Sequence, residues 1–333
     1  MQTILHRNEA RTAQLMIKAL RAGVVGAGVF GGHHARKYAS LPGVALTAVL
    51  DPHADRARAL AGPLGAEAFA LLDAFLDAVD VVTVASPASS HAVVAAAALA
   101  RGRHVYVEKP LADSIEAGQA LVDAARAAGL MLACGHQERA VFRAMGLLGL
   151  PETPLRLEAV RRGGFTGRSL DVSCVLDLMI HDIDLALTLD ASPLARVEAD
   201  GAVTTGPFAD QVQAELEFAG GMVALFEASR MADRRERTMR VVFPSGEVEI
   251  DFLARTFTDT TPFGLDAGFA ETPAGRDPLG ESVAAFVAAC RGETPRPLVT
   301  GEEAVRALDV ALDVDRAAAL RRPRADRPSP AKR

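Results

Sequence analysis

The first third of the chain alternates short apolar runs with longer alanine-rich stretches. The apolar runs are nearly continuous, as in strands buried on both faces, and they occur in KALRAGVVGAG, GVALTAVLD, VDVVTVASP, RHVYVEKP and LMLACGH. The stretches between them, such as SSHAVVAAAALARG and SIEAGQALVDAARAAG, end in glycine, as helices often do. This alternation predicts a doubly wound parallel sheet.

A different pattern begins after about Cys134. Apolar and polar residues alternate with a period of two in LARVEADGAVTTG, QVQAELEFAGGMVALFEASRM and TMRVVFPSGEVEIDFL, around turn signals at 219–221 and 244–246. This alternation predicts antiparallel strands. Two helices are then expected, over about Leu279–Cys290 and Gly301–Leu320.

The two patterns together predict an α/β protein of two domains. A Rossmann doubly wound parallel sheet is expected first, followed by an α+β domain with an open, mostly antiparallel sheet. The tail RRPRADRPSPAKR is basic and proline-rich, which is typical of disorder. The predicted boundaries are 16–135 for the first domain, 136–320 for the second and 321–333 for the tail.

A glycine-rich segment, GAGVFG at Gly26–Gly31, lies between the first strand and a helical pattern. In this context Gly26 permits a tight turn, Gly28 lets the backbone approach a pyrophosphate, and Gly31 lets the helix pack on the strand. Asp51 ends the next strand, where it would bind an adenine-ribose diol and repel a 2′-phosphate, favouring NAD over NADP. A glycine-rich turn of some other α/β fold is the alternative.

Two further segments carry candidate chemistry. In VEKPLA, Pro110 ends a strand and leaves Glu108 and Lys109 at its carboxyl end, where parallel sheets bind ligands. The alternative there is a surface charge pair.

In CVLDLMIHDIDLAL, Asp177, His181 and Asp184 are spaced to share one face of a helix, and a carboxylate four residues before a histidine can orient the imidazole. The alternatives are acids near a helix N-terminus beside one satisfied histidine, or a metal site, which lacks a third and fourth ligand at convincing spacing.

Three other segments offer polar groups for a substrate or cofactor. CGHQER provides His136 and Arg139, which either reach a sugar or phosphate or tie the domains together. RRGGFTGR is expected to be a glycine-rich loop, which binds a diphosphate through bidentate arginines or is simply solvated; its arginines are Arg161, Arg162 and Arg168. His91 follows SPASS, where the alternative is helix capping by Ser89 or Ser90.

Composition narrows the class of protein. The net charge of −6 and pI of about 5.8 argue against nucleic acid or an anionic membrane as the partner. Three cysteines without metal or redox spacing fit a reducing cytoplasm. No apolar run reaches the ~18 residues of a membrane span. Residues 1–15 lack the features of a signal peptide and are either a short leader or an over-long start.

The motifs GVVGAGVFG, VLDP, ASPASSH, VEKPLA, GHQER and DLMIHDIDLAL, in that order, resemble the glucose–fructose oxidoreductase / inositol dehydrogenase / rhizopine-catabolism family. The resemblance extends from about Ile17 to about Ala318. It implies a NAD-dependent dehydrogenase that oxidises a sugar hydroxyl, with a Rossmann domain joined to an open-faced sheet that builds a homo-oligomer, dimer or tetramer.

The resemblance also implies roles for individual residues. In this family the residues at the positions of Lys109, Asp177 and His181 act together on the hydroxyl. From the chemistry of their side chains, His181 is the candidate general base, Asp177 fixes its tautomer or contacts the substrate, and Lys109 stabilises alkoxide charge or is itself the base. The expected cofactor-binding residues are Gly26, Gly28, Val29, Phe30, Gly31, Asp51, Ser86, Pro87, His91, Glu108 and Lys109. The expected substrate-binding residues are His136, Arg139, Arg161 and Arg168.

One departure points to a branch of the family. Many members carry a Gly–Gly pair before the catalytic aspartate, whereas this chain has SCVLDLMIHDID. That wording resembles a bacterial branch linked to lipid A precursor synthesis, whose members oxidise the 3-hydroxyl of UDP-N-acetylglucosamine for a partner aminotransferase. The alternatives are a dehydrogenase of a free sugar or inositol, a non-catalytic NAD(H)-binding regulator, and a hydrolase or dehydratase that regenerates tightly bound NAD.

Overall fold

The computed structural model describes residues 19–167 and 169–320, without the side chain of Leu320. The expectations for residues 1–15, Arg168 and the tail 321–333 lie outside these residues. The described chain forms two compact units, each assembled from three segments. The first unit contains the chain up to Glu108, Ala120–Ala133 and Val283–Pro297. The second contains Lys109–Gln119, Cys134–Ser282 and the chain from Leu298.

The first unit is built on a six-stranded parallel sheet in the order β3-β2-β1-β4-β5-β6. Its strands are β1 Leu20–Val25, β2 Val44–Leu50, β3 Glu67–Phe69, β4 Val81–Val84, β5 His104–Val107 and β6 Leu132–Cys134. The helices of this part of the chain are α1 Val29–Ser40, α2 Ala54–Ala61, α3 Leu72–Asp77, α4 His91–Ala100 and α5 Ile115–Ala128. The predicted parallel sheet is confirmed. Only β3 was not predicted, because its sequence, Glu67–Phe69, begins with a charged residue and contains no apolar run.

The strand order places a ligand-binding crevice in this sheet. The chain leaves β1 towards β2 and β3 on one side and returns at β4 on the other side of β1. The loops after β1 and β4 therefore diverge in opposite directions, which opens a crevice at the carboxyl ends of the two strands. Gly26 follows β1 and Ser86 lies just after β4, so both lie at this crevice.

The second unit is built on a seven-stranded sheet in the order β13-β12-β11-β7-β10-β9-β8. Its strands are β7 Arg156–Arg162, β8 Leu194–Ala202, β9 Gln211–Phe218, β10 Val223–Ser229, β11 Glu236–Phe243, β12 Gly246–Asp251 and β13 Thr256–Asp259. The pair β7–β10 is parallel and the other pairs are antiparallel, as the predicted mostly antiparallel sheet requires.

The remaining helices are α6 Glu138–Met145, α7 Ile180–Leu189, α8 Pro273–Arg276, α9 Pro278–Cys290 and α10 Gly301–Leu320. One face of the seven-stranded sheet is apolar and covered. In β9, for example, Val212, Ala214, Leu216 and Phe218 are buried, while the residues between them are more exposed. The helix α10 packs against β8. Among the described helices, none combines the length and apolar character needed to cross a lipid bilayer.

The structure corrects one prediction in this unit. Arg161 and Arg162 end strand β7 and do not lie in a glycine-rich loop. The strand was missed because its inward positions are Leu157, Ala159 and Arg161, so a charged residue interrupts the apolar alternation. The loop begins only at Gly163.

Candidate active site

The segment from Cys174 to Leu187 carries four ionisable side chains in an otherwise apolar stretch. Burying a charge is costly unless a partner of opposite charge satisfies it. Each of the four has such a partner in the second unit: Asp177 pairs with Lys109, His181 with Glu138, Asp182 with Arg161, and Asp184 with Arg139. The first two pairs are partly open to solvent or a ligand, whereas the last two are buried.

Lys109 and Asp177 form the first pair. The Lys109 ammonium donates to Asp177 Oδ1 at 2.9 Å and to the Asp177 carbonyl at 2.6 Å, and the two side chains are 12% and 21% exposed. Burial would raise the pKa of Asp177, but the charge and hydrogen bond of Lys109 outweigh it and hold that pKa below its usual range. Asp177 therefore remains a carboxylate and fixes the position of the Lys109 ammonium.

His181 is paired with a residue that was not predicted. Its Nδ1 lies 2.7 Å from Glu138 Oε2, although the angle departs from that of a good hydrogen bond. Burial would raise the pKa of Glu138, but the charges of His181 and Arg161 hold it well below its usual range. The prediction that Asp177 is the carboxylate orienting His181 is therefore replaced by Glu138, on α6.

An irregular turn explains this exchange of partners. Val175–Met179 forms a π-helical turn before α7 begins at Ile180. Because a π turn holds more residues than an α turn, the expected spacing between Asp177 and His181 is altered. The same turn presents the Asp177 carbonyl to Lys109. Such turns are frequent at functional sites.

His136 lies beside His181 and is almost completely buried. The rings are edge to face with centroids 6.1 Å apart, and neither His136 nitrogen has a hydrogen-bond partner among the described residues. Burial lowers the pKa of His136 to about 4, against the attraction of Asp184. His136 is therefore a neutral imidazole with two unsatisfied nitrogens, consistent with its predicted contact to a substrate.

The depressed pKa of His136 predicts a pH dependence of stability. Between about pH 6.5 and 4 the unfolded chain binds a proton that folded His136 does not, so stability should fall as the pH is lowered through this window. A shift of this size corresponds to about 3 kcal/mol. The free energy of unfolding, measured at about pH 7 and about pH 4.5, should therefore fall less in His136→Gln than in the wild type. The exposed His53→Gln is the control; equal losses in the wild type and His136→Gln would contradict the assignment.

Two of the predicted substrate-binding arginines are committed to buried carboxylates. Arg139 donates to both oxygens of Asp184 at 2.7 Å and contacts Glu303 at 3.0 Å. Arg161 donates to both oxygens of Asp182 at 2.8 Å and to Glu138 at 3.1 Å. Their guanidinium groups are thereby placed as supports of α6 and α7, which carry Glu138 and His181.

The glycine-rich turn of the first unit fits a dinucleotide. Gly26 has a φ of 99°, and a Cβ there would lie 2.6 Å from the Ala85 carbonyl oxygen. A Cβ on Gly31 would lie 1.7 Å from the Gly26 carbonyl oxygen, so only glycine allows this approach of helix and strand. Gly28 faces open space and caps α1 without a side-chain hydrogen bond, which leaves the helix N–H groups for a phosphate. Val29 and Phe30 are exposed beside this turn.

The other predicted cofactor residues surround the same crevice or lie near it. Asp51 is 6% exposed, and its oxygens accept from the Ala27 and His53 amides at 2.8 Å, so it holds the turn in place. The loop after β4 is closed by His91 Nε2 against the Ser86 carbonyl at 2.8 Å. Ser90 occupies the N-cap of α4, but its side chain makes no capping hydrogen bond; its hydroxyl donates to the Pro87 carbonyl.

Glu108, at the end of β5, accepts a 2.6 Å contact from the buried His34 on α1. This contact ties the residue before Lys109 to the helix that follows the glycine-rich turn. Within 19–167 and 169–320, no group of three or more His, Cys, Asp or Glu side chains is arranged to hold a metal ion.

Comparison with known proteins identifies the family. Residues 20–136 match the model of an oxidoreductase family with a NAD-binding Rossmann fold, and residues 156–249 match the GFO/IDH/MocA C-terminal domain. A UDP-N-acetylglucosamine 3-dehydrogenase of Acidithiobacillus ferrooxidans is 38% identical over 239 residues, which are 71% of this chain and 75% of that relative. The chain belongs to the Gfo/Idh/MocA oxidoreductase family. This is the family that the sequence motifs resemble.

Further relatives agree with this membership. A crystal form of the Acidithiobacillus enzyme matches with a TM-score of 0.83 at 34% identity, covering 90% of this chain and 98% of that one. GenD2 from gentamicin A biosynthesis, solved in complex with NAD, matches with a TM-score of 0.79 at 26% identity over 91% of this chain and 95% of that one. An inositol 2-dehydrogenase of Leifsonia xyli subsp. xyli is 35% identical over 54% of this chain and 56% of its own length.

Membership of the Gfo/Idh/MocA family confirms the predicted fold class and activity. The chain is a NAD-dependent dehydrogenase acting on a CH–OH group, and NAD is its cofactor. The alternative of a non-catalytic regulator is thereby excluded. The roles of the individual site residues remain proposals.

Proposed function

We propose that this dehydrogenase oxidises the 3-hydroxyl of UDP-N-acetylglucosamine to a ketone. Two observations support the proposal. The second unit contains the Lys109–Asp177 and His181–Glu138 pairs, which can carry out the chemistry. The chain is 38% identical to a UDP-N-acetylglucosamine 3-dehydrogenase, which supports the substrate. The inositol 2-dehydrogenase relative matches only about half of the chain. The nucleotide sugar is therefore better supported as substrate than a free polyol.

The proposed chemistry divides the reaction between a hydride and a proton. When bound, NAD supplies the hydride acceptor. His181 takes the hydroxyl proton through Nε2, because Nδ1 faces Glu138. Lys109, held by Asp177, donates to the reacting oxygen and stabilises the negative charge that develops there. The neutral, unsatisfied His136 offers a further hydrogen bond to the sugar.

A substrate panel tests this proposal. Purified enzyme with NAD would be given UDP-N-acetylglucosamine, UDP-glucose, free N-acetylglucosamine or myo-inositol, and NADH absorbance would be followed with an aminotransferase to consume the ketone. We expect NADH with UDP-N-acetylglucosamine only. Turnover of a free sugar or inositol alone would reject the nucleotide sugar. If none of the four substrates produced NADH and NAD remained bound to the enzyme after dialysis, the hydrolase or dehydratase that regenerates its bound NAD would be favoured.

Replacing Glu138 by Gln should slow catalysis without weakening substrate binding. The amide keeps the shape of Glu138 but removes its negative charge. That charge stabilises the protonated His181 that forms when the imidazole takes the substrate proton. We expect kcat to fall about 10- to 100-fold, below the full contribution of a general base, while KM changes little.

The matched control is Glu303→Gln. It also removes one carboxylate from a buried arginine, here Arg139, but does not touch His181. If both variants lost the same activity, the role of Glu138 would be structural and not the positioning of His181.

The proposal includes a partner enzyme, a cellular location and an oligomeric state. A 3-keto nucleotide sugar is a substrate for an aminotransferase, and the sequence branch links this step to lipid A precursor synthesis. We also propose a cytoplasmic homo-oligomer, dimer or tetramer. The three free cysteines support the location, and the open face of the seven-stranded sheet offers a surface for self-association.

A further inference from the structure

Arg237 is a partly buried arginine that forms no ion pair with the described residues. It lies on β11 directly opposite Arg161 on β7, so the two side chains share the inner face of the sheet. Arg161 is satisfied by Asp182 and Glu138. In the part of the chain that the structure describes, the Arg237 side chain makes no hydrogen bond or ion pair. Two like charges opposite each other destabilise a sheet, so this arrangement calls for an anion.

A pocket of about 290 Å³ in the second unit surrounds Arg237. Its charged lining consists of Glu138, Arg161, Arg237, Arg255, Arg276 and Asp277. Arg161 is paired with Asp182 and Arg276 with Glu271. Among the described lining residues, Arg237 and Arg255 are therefore the arginines that form no ion pair. The Arg255 guanidinium donates a hydrogen bond of 3.1 Å to the carbonyl of Gly275, which also lines the pocket.

The environment of Arg237 is costly for the cation. Burial and then the neighbouring charge of Arg161 lower the pKa of Arg237 from its ordinary value. The charges of Glu138 and Asp182 act in the opposite direction but do not outweigh these two effects. A bound anion stabilises the charged guanidinium, and a guanidinium binds phosphate oxygens through two parallel hydrogen bonds.

We propose that this arginine pocket binds the diphosphate of the substrate and that Arg237 is its principal ligand. The inference rests on the proposed nucleotide-sugar function and names the residue that recognises it. Glu138 connects the two sites, because it lines the pocket while its Oε2 contacts His181. The proposal requires that a sugar with its reacting hydroxyl at His181 extend its diphosphate into the pocket that Glu138 lines.

Calorimetric titration of the full-length enzyme with UDP and with inorganic pyrophosphate tests this assignment. We expect Arg237→Met to bind both ligands about 10- to 100-fold more weakly than the wild type, as for the loss of charge-assisted hydrogen bonds. The matched control is Arg240→Met, since Arg240 lies on the same strand but faces the opposite side of the sheet. Its affinity should remain that of the wild type. Unchanged affinity in Arg237→Met would overturn the inference while leaving the proposed substrate intact.

The same variants separate this inference from the proposed function. Suppose that the wild type oxidises no UDP-sugar but binds pyrophosphate, and that Arg237→Met loses this binding. That result would reject the proposed substrate but support the anion site. Failure of the wild type to bind either UDP or pyrophosphate would overturn the site.

Thermal unfolding gives a second readout. Because Arg237→Met removes an unsatisfied cation, its Tm without ligand should equal or exceed that of the wild type, and pyrophosphate should raise the Tm of the wild type alone. A lowered Tm together with retained pyrophosphate binding would show a structural role and overturn the inference.

Discussion

Replacement of Lys109 by Met is expected to lower kcat by at least about 10²-fold, since we propose that the Lys109 ammonium, held by Asp177, stabilises the reacting oxygen. Met keeps the length and apolar stem of the side chain but removes its three hydrogen-bond donors. If Lys109 is itself the base, the loss should reach about 10⁴-fold. Both roles predict a large loss of turnover, and steady-state kinetics with the sugar substrate measures it.

The same variant should still bind the cofactor. The glycine-rich turn and Asp51 belong to the first unit and are unaffected by this change. NAD affinity, measured by calorimetry, should therefore stay close to that of the wild type. The control is Lys37→Met, the other lysine within the described residues, which lies on α1. Near-normal turnover in Lys109→Met would reject the catalytic assignment.

Replacement of Arg161 by Met is expected to destabilise the protein by about 3–5 kcal/mol. Arg161 neutralises Asp182, whose side chain is only 4% exposed, and also contacts Glu138. The variant would leave both carboxylates in a buried environment without this cation. Urea-induced unfolding of the purified variant measures the loss.

A control on the same strand isolates the effect of burial. Arg156, at the other end of β7, forms an exposed pair with Glu158. Arg156→Met should cost at most about 1 kcal/mol, as surface ion pairs usually do. Equal unfolding midpoints for the two variants would contradict a supporting role for the buried pair.

Much of the fold was predictable from local patterns. The apolar runs predicted five parallel strands, and the alternation around 219–221 and 244–246 predicted the hairpins of the second sheet. Strand β7 was not predicted because Arg161 occupies an inward position, where the alternating pattern requires an apolar residue. That arginine is tolerated only because Asp182, 21 residues later, lies against it. Such a long-range pairing leaves no periodic signal.

The candidate site was predictable in its residue types but not in its pairings. GAGVFG, EKP and the Asp177–His181 spacing pointed to the glycine-rich turn and to the candidate catalytic residues. The spacing in the sequence predicted that Asp177 pairs with His181. In the structure, which has a π turn at this point, Asp177 pairs with Lys109 instead. Glu138 was overlooked within GHQER because its role depends on a contact to α7. Arg237 was overlooked for a related reason, since only the strand register places it opposite Arg161.

The carbon from which the hydride leaves decides whether the enzyme oxidises the 3-hydroxyl of the sugar. UDP-N-acetylglucosamine carrying deuterium at C3 would be incubated with the enzyme, NAD and an aminotransferase that consumes the ketone, and the reduced cofactor would be analysed by mass spectrometry. Oxidation at the 3-hydroxyl predicts singly deuterated NADH and a slower rate than with unlabelled substrate. Reduced cofactor without deuterium would show that the hydride leaves another carbon, and would contradict oxidation at the 3-hydroxyl.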